Sequence, residues 1–237
     1  MIYQGIVFDK DGTLLDFHQT WLPIYRHAAE ELAQGDQELA QRLLTHHGFD
    51  DNRQRFVGGS LLAAGNNAQI AAAWATEMGC RHETRSISQR LHEVFRNQGK
   101  LQAAPVQGLA DTLSHLKQSG LKLGVATADS HAGILNTLQP FGVLELFDFL
   151  AGYDSGYGVK PGGGMVTAFC TQLEIDSGQV VVVGDNRHDI EMGRNANAGL
   201  NVGVLTGTST RADLESVADI VLDSIRELPA MLQHSHR

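Results

Sequence analysis

The chain has 237 residues, of which 42% are hydrophobic and 19% charged, the balance of an ordinary globular protein able to bury a core in one domain or two. Eighteen Lys plus Arg against 27 Asp plus Glu leave a net charge of −9, which argues against a nucleic-acid or anionic-membrane partner but leaves room for a local basic pocket. No apolar run is long enough to span a bilayer, no basic segment precedes the first one, and Cys80 and Cys170 have no metal or redox spacing; a cytoplasmic protein without a signal peptide and with two buried thiols is expected.

The first predicted element is an apolar strand entering from Tyr3 and running through Ile6-Val7-Phe8 into Asp9-Lys10-Asp11-Gly12-Thr13. In an open α/β sheet, chemistry collects at the carboxyl ends of the strands, so Asp9 and Asp11 are expected to project into a cleft. Such a pair suits phosphoryl transfer, because one carboxylate can attack phosphorus while the other handles the proton. Gly12 lets the chain turn and leaves Asp11 free to swing toward a substrate.

Between Asp16 and about Pro105 no convincing strand is predicted. Helical spacing runs from Trp21 to Leu32, and Leu39, Leu43 and Leu44 continue in a second short helix that His46-His47-Gly48 closes. A polar loop, 50–55, and a glycine-broken bend, Phe56 to Ser60, follow. Ala68 to Met78 reads as an Ala-rich helix, and Ser86 as the cap of another with Leu91, Val94 and Phe95 facing inward. An insert of this kind reads as a second, all-helical cap domain, 17–105, within a core of 1–16 and 106–237.

From Val106 onward helices alternate with short apolar strands. Leu109 to Leu116 is helical, and the strand from Leu121 ends at Thr127-Ala128-Asp129-Ser130. A helix from Ala132 to Phe141 leads to a strand at Phe149-Leu150-Ala151 and a glycine-rich loop carrying Lys160-Pro161. After a helix from Met165 to Leu173, Val180 to Val183 reads as a fully buried strand ending in Gly184-Asp185, and the helix His188 to Ala196 carries Asp189. Strands at Val202 to Leu205 and Ile220 to Leu222 and a helix from Ile225 to Leu232 close the chain. The repeated units imply an α/β, doubly wound parallel sheet with helices on both faces.

Four strand ends therefore carry polar groups toward one edge: Asp9 with Asp11, Thr127, the Lys160 loop, and Asp185 with Asp189. In this order the motifs resemble those of the haloacid dehalogenase superfamily. Asp9-Lys10-Asp11-Gly12-Thr13 is similar to its D-x-D-G-T motif, Thr127 to its lone strand-end Ser/Thr, Lys160-Pro161 to its third motif, and Gly184-Asp185 through Asp189 to G-D-x-x-x-D. Gly163 stands where the family often has a second proline, implying a less rigid loop.

The resemblance implies that Asp9 is the nucleophile and Asp11 the acid and base, with Lys160, Thr127 and the Ala128 N–H binding the phosphoryl oxygens. It implies a Mg²⁺ held by Asp9, the carbonyl of Asp11 and Asp185, with Asp189 in support either through water or by orienting the site.

Among reactions of the superfamily, a dehalogenase needs neither metal nor Asp11. The β-phosphoglucomutase type has Thr and His where Phe17 and Trp21 stand. A phosphonate hydrolase draws a Schiff-base lysine from its cap, and 17–99 contains no lysine. The reading is a phosphoglycolate phosphatase-like phosphomonoester phosphatase with an inserted helical cap. A sugar-phosphate mutase is the alternative, and a receiver-type signalling module is disfavoured by chain length and by the insert. A closing lid implies a small phosphate ester. Arg53 and Arg55 are candidate contacts to its carboxylate or phosphate, with a solvated loop as the rival reading. His18 is read as a solvated hinge residue rather than a cleft group, and His46, His47, His234 and His236 as surface.

Overall fold

A computed structural model of the chain describes residues 3–234. His236 and the side chain of His234 lie outside what is described. The strands, in chain order, are β1 (Gly5–Phe8), β2 (Phe49–Asp50), β3 (Arg55–Phe56), β4 (Lys122–Ala126), β5 (Phe149–Ala151), β6 (Val180–Gly184), β7 (Leu200–Val204) and β8 (Ile220–Leu222). Six of them make one parallel sheet in the order β5-β4-β1-β6-β7-β8. After β1 the chain winds outward through β4 to β5, then returns to the other side of β1 for β6, β7 and β8. The reversal leaves a crevice above the carboxyl end of β1, where ligands bind in such sheets.

The valine run of β6 shows why the sheet is covered twice. Val181 and Val183 pack with Ile6, Phe8, Leu123 and Val125 on one face, while Val180 and Val182 pack with Val7 and Phe169 on the other. Alternate side chains of a strand point to opposite faces, so an unbroken apolar run is stable only between two layers. The first face is covered by α6 (Leu109–Gln118), α7 (His131–Leu138) and α11 (Leu228–His234), the second by α8 (Gly164–Leu173) and α9 (Arg187–Asn195), while the short α10 (Arg211–Glu215) packs against β7 and β8.

The insert has its own core, formed by α1 (Phe17–Ala33), α2 (Gln37–Thr45), α3 (Leu61–Ala64), α4 (Asn67–Glu77) and α5 (Thr84–Gln102). Helix α1 starts where Asp16 accepts a hydrogen bond from Gln19 N at 2.9 Å. Helix α5 begins two residues before the expected Ser86 and has no side-chain cap. The expectation of an all-helical insert is corrected: β2 and β3 form a two-stranded antiparallel hairpin, with Phe49 opposite Phe56 and Asp50 opposite Arg55. Strands of two residues are too short to show a period, and the polar turn hides them. Asp50 Oδ1 accepts from Asn52 N and Arg53 N at 3.0 and 3.1 Å, an Asx turn that reverses the chain. Phe49 and Phe56 then enter the insert's core with ring centroids 5.3 Å apart.

Candidate active site

Strand register assembles the site. Phe8 is level with Val125 on one side and Val183 on the other, so Asp9, Thr127 and Asp185 leave adjacent strands at the same edge. Asp9 is tied there by its N–H, which donates to Val183 O at 2.8 Å. Lys160 arrives from the loop after β5. Its Nζ donates to Asp9 Oδ1 at 2.5 Å and to Asp189 Oδ1 at 2.6 Å, and all three side chains are buried. The second oxygen of Asp189 accepts from Asn186 N at 3.0 Å in a capping box at the start of α9. Both Asp189 oxygens are thus engaged, one by Lys160 and one by its own helix. The Lys160 loop is held although Gly163 replaces a proline: Asn195 Nδ2 donates to Pro161 O at 2.8 Å, and a side chain at Gly163 would meet Ala196 N at 2.6 Å.

Asp185 sits in a cradle that only glycines allow. A Cβ on Gly12 would lie 2.6 Å from its carboxyl carbon, and one on Gly207 would also collide with it. Gly12 moreover adopts φ = +92°. Thr208 N donates to Asp185 Oδ2 at 2.8 Å, and Thr206 Oγ1 to Gly12 O at 2.6 Å. The Thr206-Gly207-Thr208 turn after β7 was not anticipated. Its signal was available: a fifth strand of the same sheet ends in a Thr-Gly-Thr run at the same edge.

Burial and crowding decide the charges. Asp9 is pushed up to about 7, mainly by burial, with Asp189 and Asp11 adding to the rise and Lys160 opposing it. Asp185 is driven well above the usual carboxylate range by burial and then by Asp189 and Asp9, against the Thr208 N–H. Burial lowers the Lys160 pKa, but Asp189 and Asp9 outweigh it and keep this ammonium charged.

Asp11 lines the same cavity and is gripped from two sides. Trp21 Nε1 donates to its Oδ1 at 2.8 Å, and Lys10 Nζ lies 2.7 Å from its Oδ2. Lys10, the variable position of the first motif, is completely buried and pairs with Asp129 as well, at 3.1 Å. Burial lowers the Lys10 pKa, and the two carboxylates more than restore it. Lys10, Trp21 and Asp129 were missed as site residues because each is unremarkable in its own stretch.

Asp9, Asp11, Lys160, Asp185 and Asp189 floor a cavity of about 300 Å³. Thr127 and Ala128 lie in its wall, and Thr127 Oγ1 accepts from Asp129 N at 3.1 Å, leaving the hydroxyl proton to donate elsewhere. The insert supplies the opposite wall, an aromatic face of Phe17, Trp21, Tyr25 and Phe95 with His92 and Arg96 at its rim. Arg53 and Arg55 are exposed on the hairpin and do not line the cavity; Arg53 turns back to Asp50 at 3.7 Å. His18 does not line this cavity and is not fully solvated. It is half-buried against the hairpin, where its Nδ1 accepts from Phe56 N at 3.3 Å, and burial and then Arg55 lower its pKa. His46 is exposed as expected, beside Glu77 at 3.3 Å, while His47 is half-buried and bonded to Leu43 O. Cys170 is buried but Cys80 only partly so.

The donors fit a hard divalent cation. Oxygens of Asp9, Asp185 and Asp189 lie within 4.8 Å of one another in a buried cluster, and carboxylates crowded to this degree lower their energy by sharing positive charge. Lys160 answers only part of that demand.

Comparison with known proteins agrees with this chemistry. The sequence matches the family described as haloacid dehalogenase-like hydrolase over residues 3–197. It is 26% identical to N-acetylmuramic acid 6-phosphate phosphatase of Pseudomonas aeruginosa over 99% of this chain and 97% of that protein. It is 23% identical to pyrophosphatase PpaX of Listeria welshimeri over 96% and 95%. Among solved structures, a predicted phosphoglycolate phosphatase from Haemophilus somnus superposes with a TM-score of 0.76 at 18% identity, covering 98% of this chain and 99% of that one. A Thermotoga maritima protein assigned as a β-phosphoglucomutase superposes with a TM-score of 0.71 at 19% identity, with 98% and 99% covered. These two show the fold, whereas the family match, the four motifs and the shared buried edge identify the lineage: the chain belongs to the haloacid dehalogenase-like hydrolases.

Proposed function

We propose that the chain is a Mg²⁺-dependent phosphatase that hydrolyses a small phosphomonoester through an aspartyl phosphate on Asp9. The observation that carries this reading is the asymmetry of the Asp9 carboxylate. Lys160 bonds Oδ1, which leaves Oδ2 to attack phosphorus at the floor of a cavity that a second carboxylate, Asp11, also lines.

Oδ2 forms the new P–O bond as the ester P–O bond breaks, and Asp11 gives the departing alcohol its proton. Lys160, the Thr127 hydroxyl and the Ala128 N–H bind the phosphoryl oxygens as charge moves onto them. Asp11, now a base, takes a proton from the water that attacks the aspartyl phosphate; inorganic phosphate leaves and Asp9 is restored. Mg²⁺ held by the carboxylates of Asp9 and Asp185 and the backbone carbonyl of Asp11 would supply the positive charge that lets a carboxylate meet a phosphate dianion. Asp189 keeps Lys160 aimed through its Oδ1 while its Oδ2 accepts from Asn186 N, and it supports the cation either through water or by orienting the site.

A cavity of about 300 Å³ closed by a separately packed insert suits a small molecule, in keeping with relatives named for N-acetylmuramic acid 6-phosphate and pyrophosphate. The test is incubation of the protein with Mg²⁺ and a panel of phosphorylated metabolites, followed by acid quench and mass spectrometry. Release of inorganic phosphate with a phosphate adduct on Asp9 is expected. An isomerised sugar phosphate as the main product would point to a mutase, and turnover unchanged in Asp9→Asn would overturn the mechanism.

A further inference from the structure

We infer that Trp21, a residue of the insert, is a positioning residue for the acid–base Asp11, and that it ties the insert's substrate wall to proton transfer. The inference rests on the proposed role of Asp11 and goes beyond it to the side chain that aims it.

Two contacts determine where the Asp11 carboxylate points. The Trp21 indole N–H donates to Oδ1 at 2.8 Å, and the Lys10 ammonium lies 2.7 Å from Oδ2 as an ion pair without hydrogen-bond geometry. Rotation about either side-chain bond would break one of them, so the group is held in one orientation at the cavity wall. The Lys10 ammonium also lies 5.9 Å from the centre of the Trp21 ring, near the outer limit for attraction to the ring face. Lys10 is in turn anchored to Asp129, in the turn after β4. Lys10 and Asp129 belong to the core, whereas Trp21 is the only part of the clamp that the insert contributes.

The indole bond is not a by-product of burying a tryptophan in this insert. Trp74, fully buried on α4, leaves its Nε1 with no hydrogen-bond partner among the described residues, although buried indole N–H groups ordinarily find one. Trp21 is placed so that its single donor meets the one carboxylate that must carry a proton. Its ring is also part of the substrate wall. Its centroid is 5.3 Å from that of Tyr25 and 5.3 Å, edge to face, from that of Phe95, and all three rings line the cavity. An organic group pressed against that wall bears on the same indole that aims Asp11. Substrate recognition by the insert and acid–base catalysis by the core therefore meet in one side chain.

Trp21→Phe removes the donor and keeps an aromatic ring; site-specific incorporation of a benzothienyl analogue of tryptophan removes it with almost no change of shape. With an alkyl phosphate, whose leaving group needs a proton, kcat should fall roughly tenfold while KM changes little. With nitrophenyl phosphate the first step should survive and hydrolysis of the phosphoenzyme should slow, so nitrophenol is released in a burst before a slower steady rate. In an Asp11→Asn background the same change should cost nothing further, because a residue that acts through Asp11 has nothing left to aim. A loss confined to KM, or an equal loss with and without Asp11, would overturn the inference and leave the phosphatase intact. Should the unaltered protein hydrolyse no phosphomonoester at all, the functional reading fails and the role of Trp21 in it fails too. The benzothienyl variant settles the case if Trp21→Phe does not fold.

Discussion

The candidate catalytic edge and the insert's wall present polar groups in opposite ways. At the edge, Asp9, Lys10, Asp185 and Asp189 are buried and the Lys160 side chain is 6% exposed, and each is compensated by another of them, by Asp11 or Asp129, or by a backbone N–H. Across the cavity the insert offers mainly aromatic surface, with exposed His92 and Arg96 at the rim, and among the described residues neither rim group has an ion-pair partner. Buried charges interact strongly because little water screens them, and removing one leaves its partners uncompensated. A solvated rim residue can be lost at small cost until a substrate engages it. The edge should therefore govern whether chemistry occurs, and the wall which molecule undergoes it.

The contrast is tested most severely at Asp9. Asp9→Asn removes the attacking oxygen, and turnover of every phosphomonoester should fall by at least about 10³-fold with no phosphoenzyme formed. Chelation of divalent cations should abolish activity and Mg²⁺ should restore it, while Ca²⁺ should bind but support turnover poorly because its looser coordination aligns the reacting groups less well. Full activity in excess chelator would remove the cation from the assignment. Asp11→Asn should lower alkyl phosphate hydrolysis by about 10²-fold and nitrophenyl ester cleavage far less, with a burst approaching one equivalent per enzyme; equal slowing of both substrates without a burst would deny Asp11 its role.

The wall should behave differently. Arg96→Ala is expected to lower kcat/KM by roughly tenfold for esters that carry a second anionic group and to spare nitrophenyl phosphate. Arg53→Ala and Arg55→Ala, altered outside the cavity, should change kcat/KM for either ester less than about twofold. A selective loss in the hairpin variants would move substrate recognition away from α5.

An effect on stability rather than on turnover is expected far from both regions. Burial opposes ionisation of Asp148, yet hydrogen bonds from Lys117 Nζ at 2.5 Å and Leu123 N at 2.9 Å outweigh it and hold the carboxyl below its ordinary value. A carboxylate with a depressed pKa contributes stability that is present above the unfolded value and is lost as the pH falls through the folded one. Asp148→Asn should therefore cost about 1 kcal/mol in denaturant unfolding at neutral pH, and the difference should fade as the pH drops below the unfolded value of 3.8.

Much of the candidate catalytic edge was legible in the sequence for a physical reason. In a doubly wound sheet the strand ends share one edge, so Asp9, Thr127, Lys160 and Asp185 could be brought together from chain order alone, without distances. The unbroken valines of β6 likewise announced a strand buried on both faces. Helices α1 and α4 and the start of α5 were readable to within a few residues because amphipathic spacing persists over several turns. The two-residue strands β2 and β3 offered no period, and their existence depends on Phe49 and Phe56 meeting in a core that other helices complete.

Long-range pairing decided everything else. Nothing local distinguishes Lys10 from a solvated turn lysine, Trp21 from a core aromatic, or Thr208 from a loop residue. Their roles appear only when α1 is folded back over β1 and the turn after β7 is brought beside Asp185. The motifs specify which groups meet at the candidate site, since each sits on a backbone feature a few residues long. The partners that hold those groups come from distant parts of the chain, and only the packed structure determines which donor reaches which oxygen.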